Sequence, residues 1–257
     1  MGVGSNDLQE RVGELDAINL ERLDARSALR ERVDTKYIVP RGHLAEAMTR
    51  RADAYLILEI DGERIFAYES VYFDTPELRC FHDHVNDRRP RFKTRTRLYR
   101  ETGACFLEVK VKDAEDVTTK RQREYDVADH GRLVEAGVDF VDRVLRDLAD
   151  HPAPSGLAPA LSTRYRRITL AARDGAERVT FDLDVGLSAM DGREVHQRED
   201  LALVETKTEG GHGDFDGLLL EQGCDPVSIS KYRLGVGMLL ARDPGEASLQ
   251  PLRSCFA

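Results

Sequence analysis

Four cations occupy alternate positions of one short run: Arg91, Lys93, Arg95 and Arg97, within Arg-Phe-Lys-Thr-Arg-Thr-Arg. An extended strand turns alternate side chains to opposite faces, so this spacing predicts a row of positive charge on one face. Phe92, Thr94, Thr96 and Leu98 make the other, mostly apolar face. A row of like charges repels itself unless water, carboxylates or a polyanion neutralises it. The chain carries a formal net charge of −9, so the row is not a by-product of a basic composition. Positive charge concentrated in this way suits a phosphate-rich ligand.

The same alternation recurs along the chain. Glu108, Lys110 and Lys112 oppose Leu107, Val109 and Val111. Asp34, Lys36 and Ile38 alternate with Val33, Tyr37 and Val39. Thr163, Tyr165, Arg167 and Thr169 alternate with Arg164, Arg166, Ile168 and Leu170. Arg178, Thr180, Asp182 and Asp184 alternate with Val179, Phe181 and Leu183, and Glu205 and Lys207 with Val204 and Thr206. Two arrangements fit. The charges could face solvent around an apolar interior, or the apolar faces could pack under helices while the charges line an interior. Arg and Lys dominate several separate strands, and the chain has amphipathic helices that need a surface to cover, which favours the second. Such a lining requires water or a ligand to fill it.

The elements that must position these residues read as follows. Leu8 to Arg32 has the apolar spacing of one or two surface helices. Strands are expected at 34–39, 55–60, 66–74, 91–100, 105–112, 120–127, 162–172, 178–184 and 201–208. Asp61-Gly62, Thr102-Gly103 and Asp174-Gly175 mark hairpin turns. Helices are expected at 41–52, just after Pro76, at 129–150, 215–222 and 230–242, with a Pro-rich loop at 151–159 and a loose tail at the end. Eight or nine strands joined mostly by hairpins predict an α+β fold, an antiparallel eight-stranded β-barrel tunnel with helices packed outside and at its ends. The expected boundaries are a helical extension over 1–31, the tunnel domain over 32–242 and a tail over 243–257.

Bulk properties narrow the function. At 257 residues the chain can bury a sizeable core, and 33% charged against 41% apolar residues is a soluble globular balance. No run approaches the roughly 18–20 apolar residues of a membrane span, and the first ten residues lack the pattern of a signal peptide. Cys80, Cys105, Cys224 and Cys255 are widely spaced, which suits free thiols in a reducing cytosol rather than a zinc site or disulfides. The acidic balance argues against non-specific nucleic-acid binding. His82-x-His84 reads as solvated surface, and Gly210-Gly211-His212-Gly213 as a flexible link without the lysine of a phosphate loop. Tyr72 and Tyr165 read as packing residues. Lys120, Arg121 and Arg123 either extend the charged lining or pair with carboxylates outside it.

Taken in order, these residues resemble one family. The motifs are Arg32-x-Asp34-x-Lys36-Tyr37, Tyr72-Phe73-Asp74-Thr75, the cationic row and Phe106-x-Glu108-x-Lys110. Tyr165-x-Arg167, Arg178-x-Thr-x-Asp182, Glu205-x-Lys207 and Ser230-Lys231-Tyr232 follow. The set is similar to the polyphosphate polymerase domain of the vacuolar transporter chaperone (VTC) family, within the CYTH-like triphosphate tunnel metalloenzymes, over Arg32 to Ala241. The resemblance implies transfer of the γ-phosphoryl of ATP to a growing inorganic polyphosphate chain. It implies catalytic phosphate contacts from Lys36, Arg95, Arg97, Lys110, Arg167, Arg178 and Lys231. Arg91, Lys93 and Lys207 extend substrate binding, and Glu205 holds a divalent metal, Mn²⁺ or Mg²⁺. A membrane partner is compatible with this reading, and the oligomeric state is left open.

Two departures stand out. Where the hydrolase branch opens Glu-x-Glu-x-Lys, this chain has Arg32-x-Asp34-x-Lys36, which favours the VTC branch. Ser228 replaces a lysine that fungal polymerases carry three residues before the position of Lys231. Competing readings are a tripolyphosphatase or nucleoside triphosphatase of the same fold, with Glu108, Asp182 or Glu205 activating water, and a non-catalytic polyphosphate-binding module.

Overall fold

β-branched and aromatic residues alternating with charged ones cannot bury both faces, so each strand needs one covered face and one polar one. In a computed structural model, which describes residues 3–27, 33–241 and 250–257, the chain meets that requirement in two compact units. The first comprises residues 1–66, 165–185 and 197–229; the second comprises 67–164, 186–196 and 230–257.

In the first unit, β2 (Val33–Pro40) pairs antiparallel with β11 (Leu201–Thr208), and β11 with β9 (Glu177–Ala189). β8 (Ala158–Ala172) lies next to β9, and β3 (Tyr55–Leu58) pairs with the end of β8. A two-residue strand, β1 (Ala17–Ile18), runs parallel to β3. Tyr37, Val39, Ile168, Leu170, Val179, Phe181, Ala202 and Val204 form one apolar face. Helices α1 (Val3–Glu14), α3 (Arg41–Arg50) and α6 (Asp214–Glu221) cover it with Leu8 and Val12, Leu44 and Met48, and Phe215 and Leu219. Burying these side chains contributes about 1.5–3 kcal/mol each. The helices therefore sit on the apolar side, and the charged alternation is left to the opposite side.

The second unit repeats the logic. β4 (Phe66–Asp74), β5 (Arg91–Tyr99), β6 (Cys105–Lys112) and β7 (Thr118–Glu124) pair antiparallel in sequence, with β8 beside β4. Phe92, Leu107, Val109 and Val111 pack under Val141, Val144 and Leu145 of α5 (Glu135–Ala149) and Cys80 of α4 (Arg79–Val85). α7 (Lys231–Leu239) packs against α4.

Eight strands lie on the main path, in the order β2-β11-β9-β8-β4-β5-β6-β7. Among the described residues no pairing joins β2 to β7, so the structure shows a large, mainly antiparallel sheet with helices, and the closure expected of a barrel is not part of it. Several boundaries differ from expectation. β8 and β9 are longer than their alternation suggests, because the residues added, Glu177 apart, are apolar or small. The Asp61-Gly62 turn closes only an Ile60–Glu63 bridge, and β3 pairs with β8 instead of β4. Short β10 (Glu194–His196) beside β9 had no periodic signal. The C-terminal tail is ordered at its end: α8 (Gln250–Arg253) precedes a reciprocal backbone pairing of His196 with Ala257. Part of the N-terminal helical expectation falls on 28–32, including Arg32, the last residue of the expected 230–242 helix on 242, and part of the tail on 243–249; all lie outside the described residues.

Candidate functional site

Register builds the first unit's charged face row by row. Across β2, β11 and β9, Asp34 stands opposite Lys207 and Lys207 opposite Arg178. One step along, Lys36 stands opposite Glu205 and Glu205 opposite Thr180. Lys36 Nζ lies 3.1 Å and Lys207 Nζ 3.3 Å from Glu205 Oε1, and Lys207 also reaches Asp34 Oδ2 at 2.9 Å. From β8, Arg167 donates to Asp182 through Nε at 2.6 Å and NH2 at 2.8 Å, a two-pronged pairing that fixes its plane. Burial works to raise the Glu205 carboxyl, but Lys207, Lys36 and Arg167 outweigh it and hold the group well below the usual carboxylate range. Lys36, Arg167, Arg178, Lys207 and Glu205 thus come together on one face.

The second unit carries the denser row. Lys93 of β5 stands opposite Lys110 of β6, and Lys110 opposite Lys120 of β7. Beside that row, Arg95 stands opposite Glu108 and Arg91 opposite Lys112. Arg95 Nε lies 2.6 Å from Glu108 Oε2, and Lys120 Nζ 3.3 Å from its Oε1. Glu108 is 3% exposed. Burial alone would raise its carboxyl, yet Arg95, Arg97 and Lys120 keep it ionised and far below its ordinary value. Tyr72 places its hydroxyl 2.7 Å from Arg95 NH1, with the guanidinium 5.5 Å from its ring centroid, so it orients a site residue as well as packing. Arg97 Nε donates to Ser70 Oγ at 3.3 Å. Arg91 is held by Asp87 Oδ1 at 2.7 Å.

Lys231 opens α7. Ser230 caps that helix, accepting from Arg233 N, and also accepts from Lys93 Nζ at 3.1 Å. This ties the helix start to the lysine row. Tyr232 is buried and its hydroxyl donates to Asp74. Asp74 also accepts from Thr75 N, Cys80 N and Phe81 N, so the Tyr-Phe-Asp-Thr motif anchors α4 and α7 together.

Three features were not legible beforehand. Lys120 joins the charged face, whereas Arg123 stacks 5.8 Å from the Phe140 ring. Ser230 and Asp74 act through contacts distant in sequence. His84 is not solvated surface: His82 is exposed, but His84 is largely withdrawn from solvent. Burial, with Lys93, Arg233, Lys110 and Arg89 around it, lowers its imidazole to about 3, so it is neutral. Ser228, in place of the expected lysine, is exposed.

Several solved structures are similar to this chain. A candidate adenylate cyclase from Bacillus halodurans matches with a TM-score of 0.50 and 11% identity, covering 82% of this chain and 98% of its own. A candidate adenylyl cyclase from Hippeastrum, whose dominant activity is that of a triphosphatase, matches at TM-score 0.48 and 14% identity over 82% and 97%. The PH1819 protein of Pyrococcus horikoshii OT3 matches at 0.43 and 15% over 80% and 96%. No curated protein matches the sequence. The VTC domain model matches residues 31–240, and the chain belongs to the VTC domain family. No helix among the described residues is long and apolar enough to cross a membrane.

The resemblance drawn from the sequence implies a divalent metal. Among the described residues no group of three or more His, Cys, Asp and Glu side chains is arranged to hold one. A small hard cation needs few protein ligands when substrate phosphates supply the rest. Glu205, an ionised carboxylate between two lysines, fits that shared mode.

Proposed function

We propose that this chain is a phosphotransferase of polyphosphate polymerase type, passing the γ-phosphoryl of ATP to inorganic polyphosphate in the tunnel form that the family resemblance implies. Lys93, Arg95, Arg97, Lys110 and Lys231 bind phosphates in the second unit, with Arg91 extending the row. In the first unit Lys36, Arg167, Arg178 and Lys207 do so. Glu205 would hold the metal, which when bound neutralises charge on the non-bridging oxygens.

The reaction needs charge neutralisation and alignment more than acid–base chemistry. A terminal oxygen of the acceptor chain attacks Pγ. The bond from Pγ to the β–γ bridging oxygen breaks, and ADP leaves with that oxygen. The attacking oxygen is already anionic at neutral pH, so no proton has to be removed. Fixed cations lower the repulsion between the two polyanions and hold the acceptor in line.

One observation supports transfer to phosphate over transfer to water. A base that activates water works best with a pKa near the working pH. Glu108 and Glu205 are both held far below that by the cations that surround them, and the third candidate, Asp182, accepts both prongs of the Arg167 guanidinium. Paired in this way, the three carboxylates serve as electrostatic partners of the cations rather than as bases for water. The test is purified protein with ATP and Mn²⁺, with products resolved by gel and free phosphate measured. Long acid-labile chains are expected. Free phosphate from ATP or tripolyphosphate without chains would make the protein a hydrolase, and binding without turnover would make it a binding module.

A further inference from the structure

One end of the second unit's charged face is aromatic. Tyr99 follows Arg97 on the same side of β5, and register sets Tyr68 opposite Tyr99 and Phe106 opposite Arg97. The Tyr68 and Tyr99 ring centroids are 4.9 Å apart at 59°, and those of Tyr99 and Phe106 are 5.9 Å apart at 87°. None of the three belongs to the apolar cluster that packs under α5 on the other side of the strands. Tyr99 and Phe106 are only half-buried, while Tyr68 is buried. The Arg97 guanidinium lies 5.6 Å from the Tyr68 ring centroid. The row of cations therefore runs into aromatic rings at one end, and into Arg91 and Asp87 at the other.

Aromatic rings on a polar face next to arginine suit a flat heterocycle that carries phosphates. Stacking needs only a π-face, and the adjoining guanidinium adds a charge for the first phosphate. Residues two apart on a strand lie about 7 Å from each other, so Arg97 and Arg95 sit about 7 and 13 Å along from Tyr99. A triphosphate leaving a base seated on Tyr99 covers that stretch. We infer that Tyr99 and Phe106, with the buried Tyr68 packed against Tyr99, form a platform for the base of a nucleoside triphosphate, whose phosphates run along β5 from Arg97 towards Lys93. This rests on the proposal that the charged face takes nucleoside triphosphates, and it adds which end receives the base. Recognition by stacking alone, without hydrogen bonds to base edges, predicts that ATP and GTP bind similarly and that CTP, with a smaller ring, binds less tightly.

The test compares ATP with inorganic tripolyphosphate, which has the phosphates but no base, by calorimetry on the full chain. In Tyr99→Ala and Phe106→Ala, ATP affinity is expected to fall about tenfold, within the range of base–aromatic stacking, while tripolyphosphate affinity is unchanged. Equal weakening of both ligands, or of neither, would overturn the platform. A second measurement needs no variant: with the unaltered chain saturated with ATP, magnetisation transfer from tyrosine ring protons to adenine H2 or H8 is expected, and its absence would also overturn it. The underlying phosphate reading fails separately, if the unaltered chain does not bind tripolyphosphate at all.

Discussion

Lys93 of β5 and Lys110 of β6 stand directly opposite one another in the register of the second unit. Like charges facing across a strand pair oppose folding, and Lys120 continues the row on β7. Such a face gains most when an anion lies along it. Tripolyphosphate should therefore raise the melting temperature by several degrees, with a shift that shrinks as salt is added. Lys110→Ala should change the ligand-free stability by less than about 0.5 kcal/mol and reduce the ligand-induced shift. An undiminished shift in paired thermal melts would remove Lys110 from the phosphate site.

Glu108 gives a pH prediction with a definite sign. Its folded carboxyl lies below its ordinary value of 4.5, so its ionised form stabilises the fold. That contribution is complete above the unfolded pKa and is lost as pH falls below about 4.5 towards the depressed folded value. Between pH 6 and pH 3 the urea midpoint of the natural chain should fall more steeply than that of Glu108→Gln. Parallel curves would show that the Arg95–Glu108 pairing carries no pH-dependent stability.

Arg95→Ala should cost stability as well as binding. It leaves the buried Glu108 carboxylate with Lys120 as its remaining close partner, and breaking a buried pair costs about 3 kcal/mol or more. The double variant Arg95→Ala with Glu108→Gln should recover much of that loss without recovering triphosphate affinity. Recovery of both, seen by chemical denaturation and calorimetry together, would make Arg95 a structural residue.

Glu205→Gln separates the metal from the scaffold. Lys36 and Lys207 lose a charged partner, yet the apolar face under α1, α3 and α6 is untouched. Metal-dependent turnover should fall about a hundredfold, the order seen when a stabilising group is removed from a transition state, with the melting temperature within a few degrees. An unchanged Mn²⁺ titration would place the metal elsewhere.

Tyr232→Phe removes the hydroxyl that donates to Asp74. Hydrogen bonds to buried charged groups contribute about 1.5–3 kcal/mol, and that loss is expected in urea denaturation. Because α7 carries Ser230 and Lys231, triphosphate affinity should weaken too, and Lys231→Ala in the Tyr232→Phe background should then cost less than it does alone. Additive effects would show that α7 positions nothing.

Much of this was readable from periodicity. β4, β6 and β11 have the bounds their alternation predicts, and the charged face of β5 follows directly from Arg91, Lys93, Arg95 and Arg97. Strands without a period were less legible: the far end of β9, from Val185 to Ala189, is apolar or small on both faces, and β10 has only three residues. Two histidines among charges look hydrated in the sequence, which hides the withdrawal of His84 from solvent. Its withdrawal depends on the packing of α4 against α7, which no local pattern encodes. Asp74 stands in the Tyr-Phe-Asp-Thr motif, but its anchoring of Tyr232 spans 158 residues.

The sequence alone determined which side chains share a strand face, since a period of two is a local geometric fact. It therefore determined that cations would be gathered in rows and that helices would have apolar faces to cover. Only the tertiary structure decided which rows became neighbours: that Lys93 meets Lys110 and Lys120, that Glu205 sits between Lys36 and Lys207, and that rings end the β5 row. Register and strand order are set by packing and backbone hydrogen bonding between segments far apart in the chain, and those energies belong to no single segment.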